Sequence, residues 1–432
     1  MTYQETCEYL YSQMPMFERQ GASGYKEGLS NTLALDAHFG HPHHAFACIH
    51  VGGTNGKGSV SHTLASVLQA SGCRVGLYTS PHLVDFRERI RINGEPVSEA
   101  YVVDFVEQER AFFEPLHPSF FEVTTAMAFK YFRDKQVDVA VIEVGLGGRL
   151  DCTNIITPLV SVITNISFDH TQFLGNTLAQ IAAQKAGIIK RGVPVVIGEN
   201  NAETRPVFEA KAHEMNAPVI FAEDVPEVLS ARPRPDGGMH YQTRHLGELD
   251  GDLGGIYQQK NLNTVLTALQ CLTRSGCLSP TLTSLPILKE GLLNVVGHTG
   301  LMGRWQLVQL TPRVVCDTGH NVGGWQYISR QLQQVKGRQM HLVFGMVNDK
   351  DIKGVLEMLP KHATYYFTQA ESKRAVSSTT LQETAADFGL HGNSYPSVRE
   401  AYKAALQASG KDDFIFVGGS SYVVGDFLRT CF

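Results

Sequence analysis

Val51-Gly52-Gly53-Thr54-Asn55-Gly56-Lys57-Gly58-Ser59 places four glycines, a lysine and two hydroxyl side chains in nine residues. Glycines let successive backbone N–H groups turn inward around phosphate oxygens, a helix N-terminus adds positive potential, and a lysine reaches the terminal phosphates. The run departs from the spacing G-x-x-x-x-G-K-[ST], because Val51 stands five before Gly56 and Gly58 separates Lys57 from Ser59. The bland alternative is a tight strand-to-helix turn with an incidental lysine. Glycine density beside a lysine favours a nucleoside triphosphate loop, with Thr54, Asn55, Gly56, Lys57, Gly58 and Ser59 as its nucleotide-binding residues.

Two other groups could join that chemistry. Glu143 lies near the end of the strand-like run Val137–Val144 and is followed by Gly145-Leu-Gly-Gly-Arg149-Leu-Asp151. A later run ends in Asn165 and leads to Asp169-His170. Ligands of an open parallel sheet gather beyond the carboxyl ends of its strands. A carboxylate and an imidazole there could hold Mg²⁺, a cation that keeps water and phosphate oxygens around itself. Histidine is an unusual Mg²⁺ ligand, so a helix-capping or core role for His170 stays open. A buried acid such as Glu143 needs a partner.

The elements that must position these residues follow from periodicity. Phe46–Val51, Arg74–Tyr78, Val137–Val144, Leu159–Thr164 and Pro194–Ile197 read as buried strands with helical patterns between them. That rhythm predicts an α/β fold: a P-loop-type, mainly parallel sheet with helices on both faces. Glu88–Glu95 alternates and holds Asn93-Gly94, a hairpin signal. Asp224–Gly255 reads as a peripheral β excursion closing the first domain, and helices are expected over Gln258–Thr273 and Leu282–Val295. Val296–Arg304 (VGHTGLMGR) is glycine-rich enough for a hinge. Beyond it the rhythm restarts with Arg313–Asp317, Met340–Phe344, Ala363–Thr368 and Phe414–Val417, predicting a smaller C-terminal Rossmann-like α/β domain. The expected division is 1–296, hinge 297–304 and 305–432.

Composition bounds the partners. The 432 residues are too many for one ordinary compact core. With 37 Lys and Arg against 42 Asp and Glu, the formal net charge is −5, which gives no footprint for nucleic acid or an anionic membrane. The eight cysteines are scattered without C-x-x-C or framework spacing, which fits a reducing compartment. Met1-Thr-Tyr-Gln-Glu shows no basic stretch before an apolar one, so no secretory signal is expected, and no run is long and apolar enough to span a bilayer. Cytoplasm is the expected compartment.

The run Gly53-Thr-Asn-Gly-Lys-Gly-Ser59 resembles the phosphate loop of folylpolyglutamate synthase and dihydrofolate synthase, members of the wider Mur ligase group. The resemblance extends over nearly the whole chain through ordered anchors. They include Thr79-Ser-Pro-His-Leu83 with Glu88-Arg-Ile90, Phe121-Glu122 with Thr125, and Glu143-Val-Gly-Leu-Gly-Gly-Arg-Leu-Asp151 with Thr153-Asn154. Asp169-His170, Lys185-Ala-Gly-Ile188, Gln258 with Asn261, and Gly303-Arg304 come next. Asp317 with His320-Asn321, Gly345-Met346 with Asp349-Lys-Asp351, and Gly419-Ser420 complete them.

The resemblance implies an ATP-dependent amide ligase working in an interdomain cleft. ATP phosphorylates a substrate carboxylate, and the α-amine of L-glutamate attacks the acyl phosphate, releasing ADP and phosphate. By resemblance, Lys57 grips the β/γ-phosphates, and Ser80, Glu143 and His170 ligate magnesium, with two ion sites expected. Lys185 is expected to carry a carbamate that supports a magnesium ion, which places Lys57, His170 and Lys185 in the catalytic set. A surface position on a helix Thr177–Ile189 is the alternative for that lysine, and carbamylation requires its neutral amine. Arg304 is expected at the nucleotide phosphates, Asp317 and His320 on the ribose side, and Asn261 at the adenine. Phe121 is the candidate for stacking on a pterin, although the phenylalanines around it permit a plain core role. Ser420 and Arg374 are candidates for glutamate, with a helix N-cap as the alternative for Ser420.

Three positions depart from the family pattern: Gln184 precedes Lys185 where glutamate is frequent, Met302 replaces proline in Pro-Gly-Arg, and Asp317-Thr-Gly-His-Asn-Val322 replaces Asp-Gly/Ala-Ala-His-Asn-Pro. The expected substrates are dihydropteroate or folates with L-glutamate, handled by a monomer without nucleic acid or membrane partners. A bifunctional enzyme is expected ahead of a folylpolyglutamate synthase alone. A peptidoglycan Mur ligase fits less well, since Met1–Ala45 is too short for its UDP-sugar domain. A nucleotide-binding switch would have no need of Glu143, His170, Lys185 and Ser420 together.

Overall fold

The computed structural model describes residues 1–15, 28–274, 276, 278–335 and 339–431, so Cys277 lies outside the described residues. Eight strands form the first sheet: β1 (Ala47–Gly52), β2 (Val75–Tyr78), β3 (Ile90–Ile92), β4 (Glu95–Pro96), β5 (Val139–Glu143), β6 (Val160–Ile163), β7 (Val195–Ile197) and β8 (Val219–Phe221). Their order is β4-β3-β2-β5-β1-β6-β7-β8. β2, β5, β1, β6, β7 and β8 run parallel, and the β2–β3 and β3–β4 pairs are antiparallel. The short Val- and Ile-rich runs are buried along their lengths because helices cover both faces. Ala140 and Ile142 pack under the aromatic helix Phe120–Asp134, while Ile163 and Ile197 pack with Ala182, Ile188 and Phe208.

The hairpin turn lies at Asn93 (φ 47°) and Gly94 (φ 81°), both left-handed as a two-residue turn demands. β1 sits between β5 and β6, so chain connections leave it towards both sides of the sheet. That reversal opens a crevice at the carboxyl ends of β1, β5 and β6.

A three-stranded sheet of order β11-β10-β9 contains β9 (Val228–Pro233), β10 (Met239–Thr243) and β11 (Glu248–Gly251). The third sheet has β12 (Gln306–Gln309), β13 (Arg313–Asp317), β14 (Met340–Phe344), β15 (Thr364–Phe367), β16 (Gly392–Ser394) and β17 (Phe414–Gly418) in the order β12-β13-β17-β14-β15-β16. All its pairs are parallel except β12–β13. Trp325, Phe344 and Phe416 meet edge-on within its core.

The chain divides into two compact units. One comprises Met1–Ser230, Tyr241–Leu249 and Gln259–Gly300; the other comprises Ala231–His240, Asp250–Gln258 and Leu301–Phe432. The β excursion therefore does not group whole with the first unit. Arg313 Nη1, for example, donates to Pro235 O at 3.1 Å within the second.

The helix expected over Leu282–Val295 is broken into a 3₁₀ turn Pro280–Thr283, a helix Leu285–Leu293 and a short helix Val295–Thr299. Pro286 lacks an N–H and suits only a first turn. The expected hinge thus starts inside a helix, which Gly300 closes in the left-handed conformation (φ 66°). Among the described residues, no helix is long and apolar enough to cross a membrane.

Candidate active site

The phosphate loop is held by the segment leaving β6. Thr54 N donates to Asn165 O (2.9 Å), Asn55 N to Asn165 Oδ1 (2.8 Å), and Thr164 Oγ1 to Asn55 O (2.6 Å). Asn55 Nδ2 donates to Ser167 Oγ at 3.1 Å. Two of the glycines are required here. A Cβ on Gly53 (φ +137°) would stand 1.9 Å from Thr164 Oγ1, and one on Gly56 (φ +86°) 2.4 Å from Asn261 Oδ1. Asn261, expected near adenine, therefore lies against the loop itself. Gly56 precedes the helix Lys57–Ala70, whose first turn carries Lys57, Gly58 and a buried Ser59. Lys57 Nζ donates to Thr54 O at 3.1 Å.

Glu143 ends β5 directly beside Val51 and is 3% exposed. Ser80 N, just past β2, donates to its Oε2 at 3.4 Å. These two expected ligands are thus brought together at the carboxyl edge. His170 is left-handed (φ 49°) and precedes the short helix Thr171–Leu174 without a side-chain capping bond. Its Nε2 lies 3.7 Å from Asp169 Oδ1.

Lys185 ends the helix Leu178–Lys185, yet it is 5% exposed and does not occupy the surface position. Its Nζ donates to Gly53 O at 2.9 Å, which attaches it to the phosphate loop. Burial, and then the nearby Lys57 charge, push its pKa down to about 7. A substantial fraction of neutral amine at neutral pH follows, and that is the form carbamylation requires.

A buried chain of hydrogen bonds escaped the sequence reading. His50 on β1 meets Thr153 Oγ1 through Nε2 (2.8 Å), and Thr153 Oγ1 donates to Asp151 Oδ1 (2.5 Å). The hydroxyl has one proton, which goes to Asp151, so His50 donates from Nε2 and its Nδ1 is bare. Burial pushes His50 down to about 3 and keeps it neutral. Asp151 Oδ2 accepts from Leu146 N at 2.8 Å and so fixes the glycine loop after Glu143. Asp151 and Thr153 stood in the sequence as motif anchors, but nothing local joined them to His50, a polar residue inside an apolar strand.

Phe121 stacks on Tyr78 (centroids 5.7 Å apart, 26° between planes). It also lies where a Cβ on Gly145 would come within 2.6 Å of its ring. It packs against the core and adjoins the glycine loop, so both readings of this residue keep a physical basis. Glu122 forms a capping box with Ser119: Ser119 N donates to Glu122 Oε2 (2.6 Å) and Glu122 N to Ser119 Oγ (3.3 Å).

In the second unit, Asp317 at the end of β13 is 3% exposed and accepts from Tyr257 Oη (2.6 Å), Trp305 N (2.8 Å) and Gly319 N (2.8 Å). Arg304 donates to Thr318 Oγ1 and to Gly303 O. His320 Nδ1 lies 3.1 Å from Thr318 O. One short loop thereby positions all three residues. Arg374 is buried, pairs with Asp349 and donates to Tyr422 Oη at 3.1 Å. Ser420 Oγ accepts from Val423 N (3.2 Å), a bond of the N-cap kind.

The description "Mur ligase middle domain" matches residues 51–224, and "Mur ligase, glutamate ligase domain" matches 303–421. The folylpolyglutamate synthase of Lacticaseibacillus casei is 33% identical over 441 residues, covering 100% of this chain and 99% of that protein. This chain belongs to the folylpolyglutamate synthase family. It is an ATP-dependent ligase. The structure of E. coli FolC in complex with DHPP and ADP is 31% identical with a TM-score of 0.84, over 100% of this chain and 98% of that one. A bifunctional folylpolyglutamate synthase/dihydrofolate synthase with Mn, AMPPNP and L-glutamate bound is 28% identical with a TM-score of 0.82, over 100% and 98%.

As a member of the folylpolyglutamate synthase family, this chain also accounts for one of its own departures. Gln184 Oε1 accepts from Arg149 Nε at 3.3 Å, the acceptor role a glutamate would fill, and Arg149 N donates to Gln184 O at 2.8 Å. Gln184 and Arg149 line a cavity of about 230 Å³ together with Gly147, Phe173 and Leu174.

Proposed function

We propose that this chain is a bifunctional dihydrofolate synthase and folylpolyglutamate synthase, joining L-glutamate to dihydropteroate and to the γ-carboxylate of folates. The observation that carries the reading is the carboxyl edge of the first sheet, where a cross-braced phosphate loop, buried Glu143 and the buried amine of Lys185 converge. Lys57 and the amides of Gly56 to Ser59 would hold the β/γ-phosphates, Thr54 and Asn55 would brace the loop through Asn165, and Asn261 is the proposed adenine contact. The γ-phosphoryl group passes to the substrate carboxylate, the glutamate amine attacks the acyl carbon and loses its proton, and phosphate departs. Such a transfer depends mainly on positioning and charge neutralisation.

Ser80, Glu143, His170 and a carbamylated Lys185 would hold Mg²⁺ at two sites, a set dominated by the hard oxygen donors this ion prefers. Bound there, Mg²⁺ would neutralise charge between the phosphates and the acyl oxygens. A neutral Lys185 amine supports the carbamate, since carbamate formation consumes a lone pair. Arg304, Asp317 and His320 are the second unit's proposed nucleotide contacts, and Ser420 and Arg374 its proposed glutamate contacts. Phe121 is the proposed pterin contact. In this reading residues 1–296 bind ATP and pterin, 297–304 form the hinge and 305–432 act as the glutamate ligase domain. The enzyme works as a cytoplasmic monomer; the free cysteines among the described residues support a reducing compartment.

The test supplies the purified protein with ATP, L-glutamate and either dihydropteroate or tetrahydrofolate. Products from both acceptors are expected. Product from tetrahydrofolate alone reduces the enzyme to a folylpolyglutamate synthase, and product from neither rejects the assignment.

A further inference from the structure

At the opposite end of β1 from the phosphate loop, three side chains converge that the ligase reaction does not use. The helix Ser30–His38 carries Asp36, which is 4% exposed. Gly40 (φ 70°) and His41 (φ 56°) turn the chain back, and a 3₁₀ turn Pro42–His44 follows. His41 Nδ1 then lies 2.7 Å from Asp36 Oδ2, and His43 Nδ1 2.6 Å from Asp36 Oδ1. One ligand atom from each residue falls within 4.8 Å of the other two. The His44 ring centroid stands 3.9 Å from that of His43 and 6.1 Å from that of His41.

We propose that Asp36, His41 and His43 form a binding site for a divalent transition-metal ion of the zinc class, with His44 or a water as fourth ligand. Two imidazoles and one carboxylate suit Zn²⁺, whereas Mg²⁺ prefers all-oxygen surroundings, so the site would not compete for the ion of the ligase reaction. A buried carboxylate facing two imidazoles also gains from a cation placed between them. In the arrangement described, each Nδ1 lies at hydrogen-bond distance from a carboxylate oxygen. On ligation a neutral imidazole carries its proton on Nε2, and a protonated one releases a proton to water. The N···O separations open to roughly 3.3 Å around a tetrahedral ion with ~2.0–2.1 Å bonds. The His41 side chain is 56% exposed and has the freedom to make that shift. By strand rise the six residues of β1 put this site roughly 20 Å from the phosphate loop. The ion would pin the corner through which the chain enters the sheet.

The test uses untagged full-length protein, stripped with a chelator and dialysed against micromolar zinc, with metal content measured by mass spectrometry and Co²⁺ binding followed by visible absorption. Wild type is expected to hold one more equivalent of zinc than His41→Ala and than His41→Gln/His43→Gln, and to show a tetrahedral Co²⁺ spectrum that both variants lack. It is also expected to gain thermal stability from Zn²⁺ but not from Mg²⁺. The exposed His41 keeps the single variant foldable, and far-UV circular dichroism checks the double one. Equal zinc content in wild type and folded variants, or no bound zinc in wild type, overturns the proposal and leaves a hydrogen-bonded clamp.

Discussion

At the carboxyl edge of the first sheet, Lys57 directs its ammonium group at the main-chain oxygen of Thr54, and the Lys185 amine donates to Gly53 O. In the second unit Arg374 is paired with Asp349, and Asp317 accepts three hydrogen bonds from its own surroundings. A cation resting on a neutral carbonyl can turn to an arriving phosphate without breaking an ion pair. A cation already paired with a carboxylate must share or exchange its partner to hold a ligand carboxylate. In the proposed reaction the first region would serve as a preorganised anion site, and the second as a braced scaffold whose contacts would be redistributed on binding.

That contrast can be broken at its strongest point. Lys57→Ala is expected to lower kcat/KM for ATP by about 10³-fold, the scale of removing one preorganised donor. A loss below tenfold would remove Lys57 from the phosphate site. Gly53→Ala follows in size. The added Cβ meets Thr164 Oγ1 in a left-handed backbone, so equilibrium unfolding in urea should show a loss of about 2–4 kcal/mol. Unchanged stability would mean that the loop is not fixed as described.

In the second unit the expected effect is smaller and of another kind. Arg374→Gln should raise KM for glutamate about tenfold while changing kcat less, because it removes binding and not the transfer step. An equal fall in kcat with constant KM would contradict a glutamate contact there. The last test is of pH. The folded pKa of Lys185, about 7, lies below the ordinary lysine value of 10.5, so the unfolded chain binds more protons between those values. In CO₂-free buffer the stability of wild type relative to Lys185→Met should rise as pH increases from 7 towards 10.5 and stay flat below. A difference independent of pH would show that Lys185 is not buried as a neutral amine.

The parts legible in the sequence were those whose signal is local. The phosphate loop could be read because glycine freedom and a lysine act within nine residues, and β1, β5 and β6 because parallel strands buried on both faces are continuous apolar runs. β16 (Gly392–Ser394) and β12 were missed; they are short edge strands without a continuous buried run. For Lys185 a surface helical position stood as the alternative to the carbamate, because only the tertiary fold buries that helix end against the phosphate loop. Ser119-Phe-Phe-Glu122 carried a readable capping box, yet its glutamate drew attention as part of a motif. The His50–Thr153–Asp151 chain joins residues about a hundred positions apart, a distance no local pattern spans.

In the proposed reaction the carboxyl edge activates a carboxylate for glutamate and does not merely hydrolyse nucleotide. This activation is tested most directly by measuring ADP release with folate acceptor and glutamate omitted in turn. Sustained release is expected only when both are present, with one glutamate incorporated per ADP. Release that proceeds at the same rate without either substrate would contradict it.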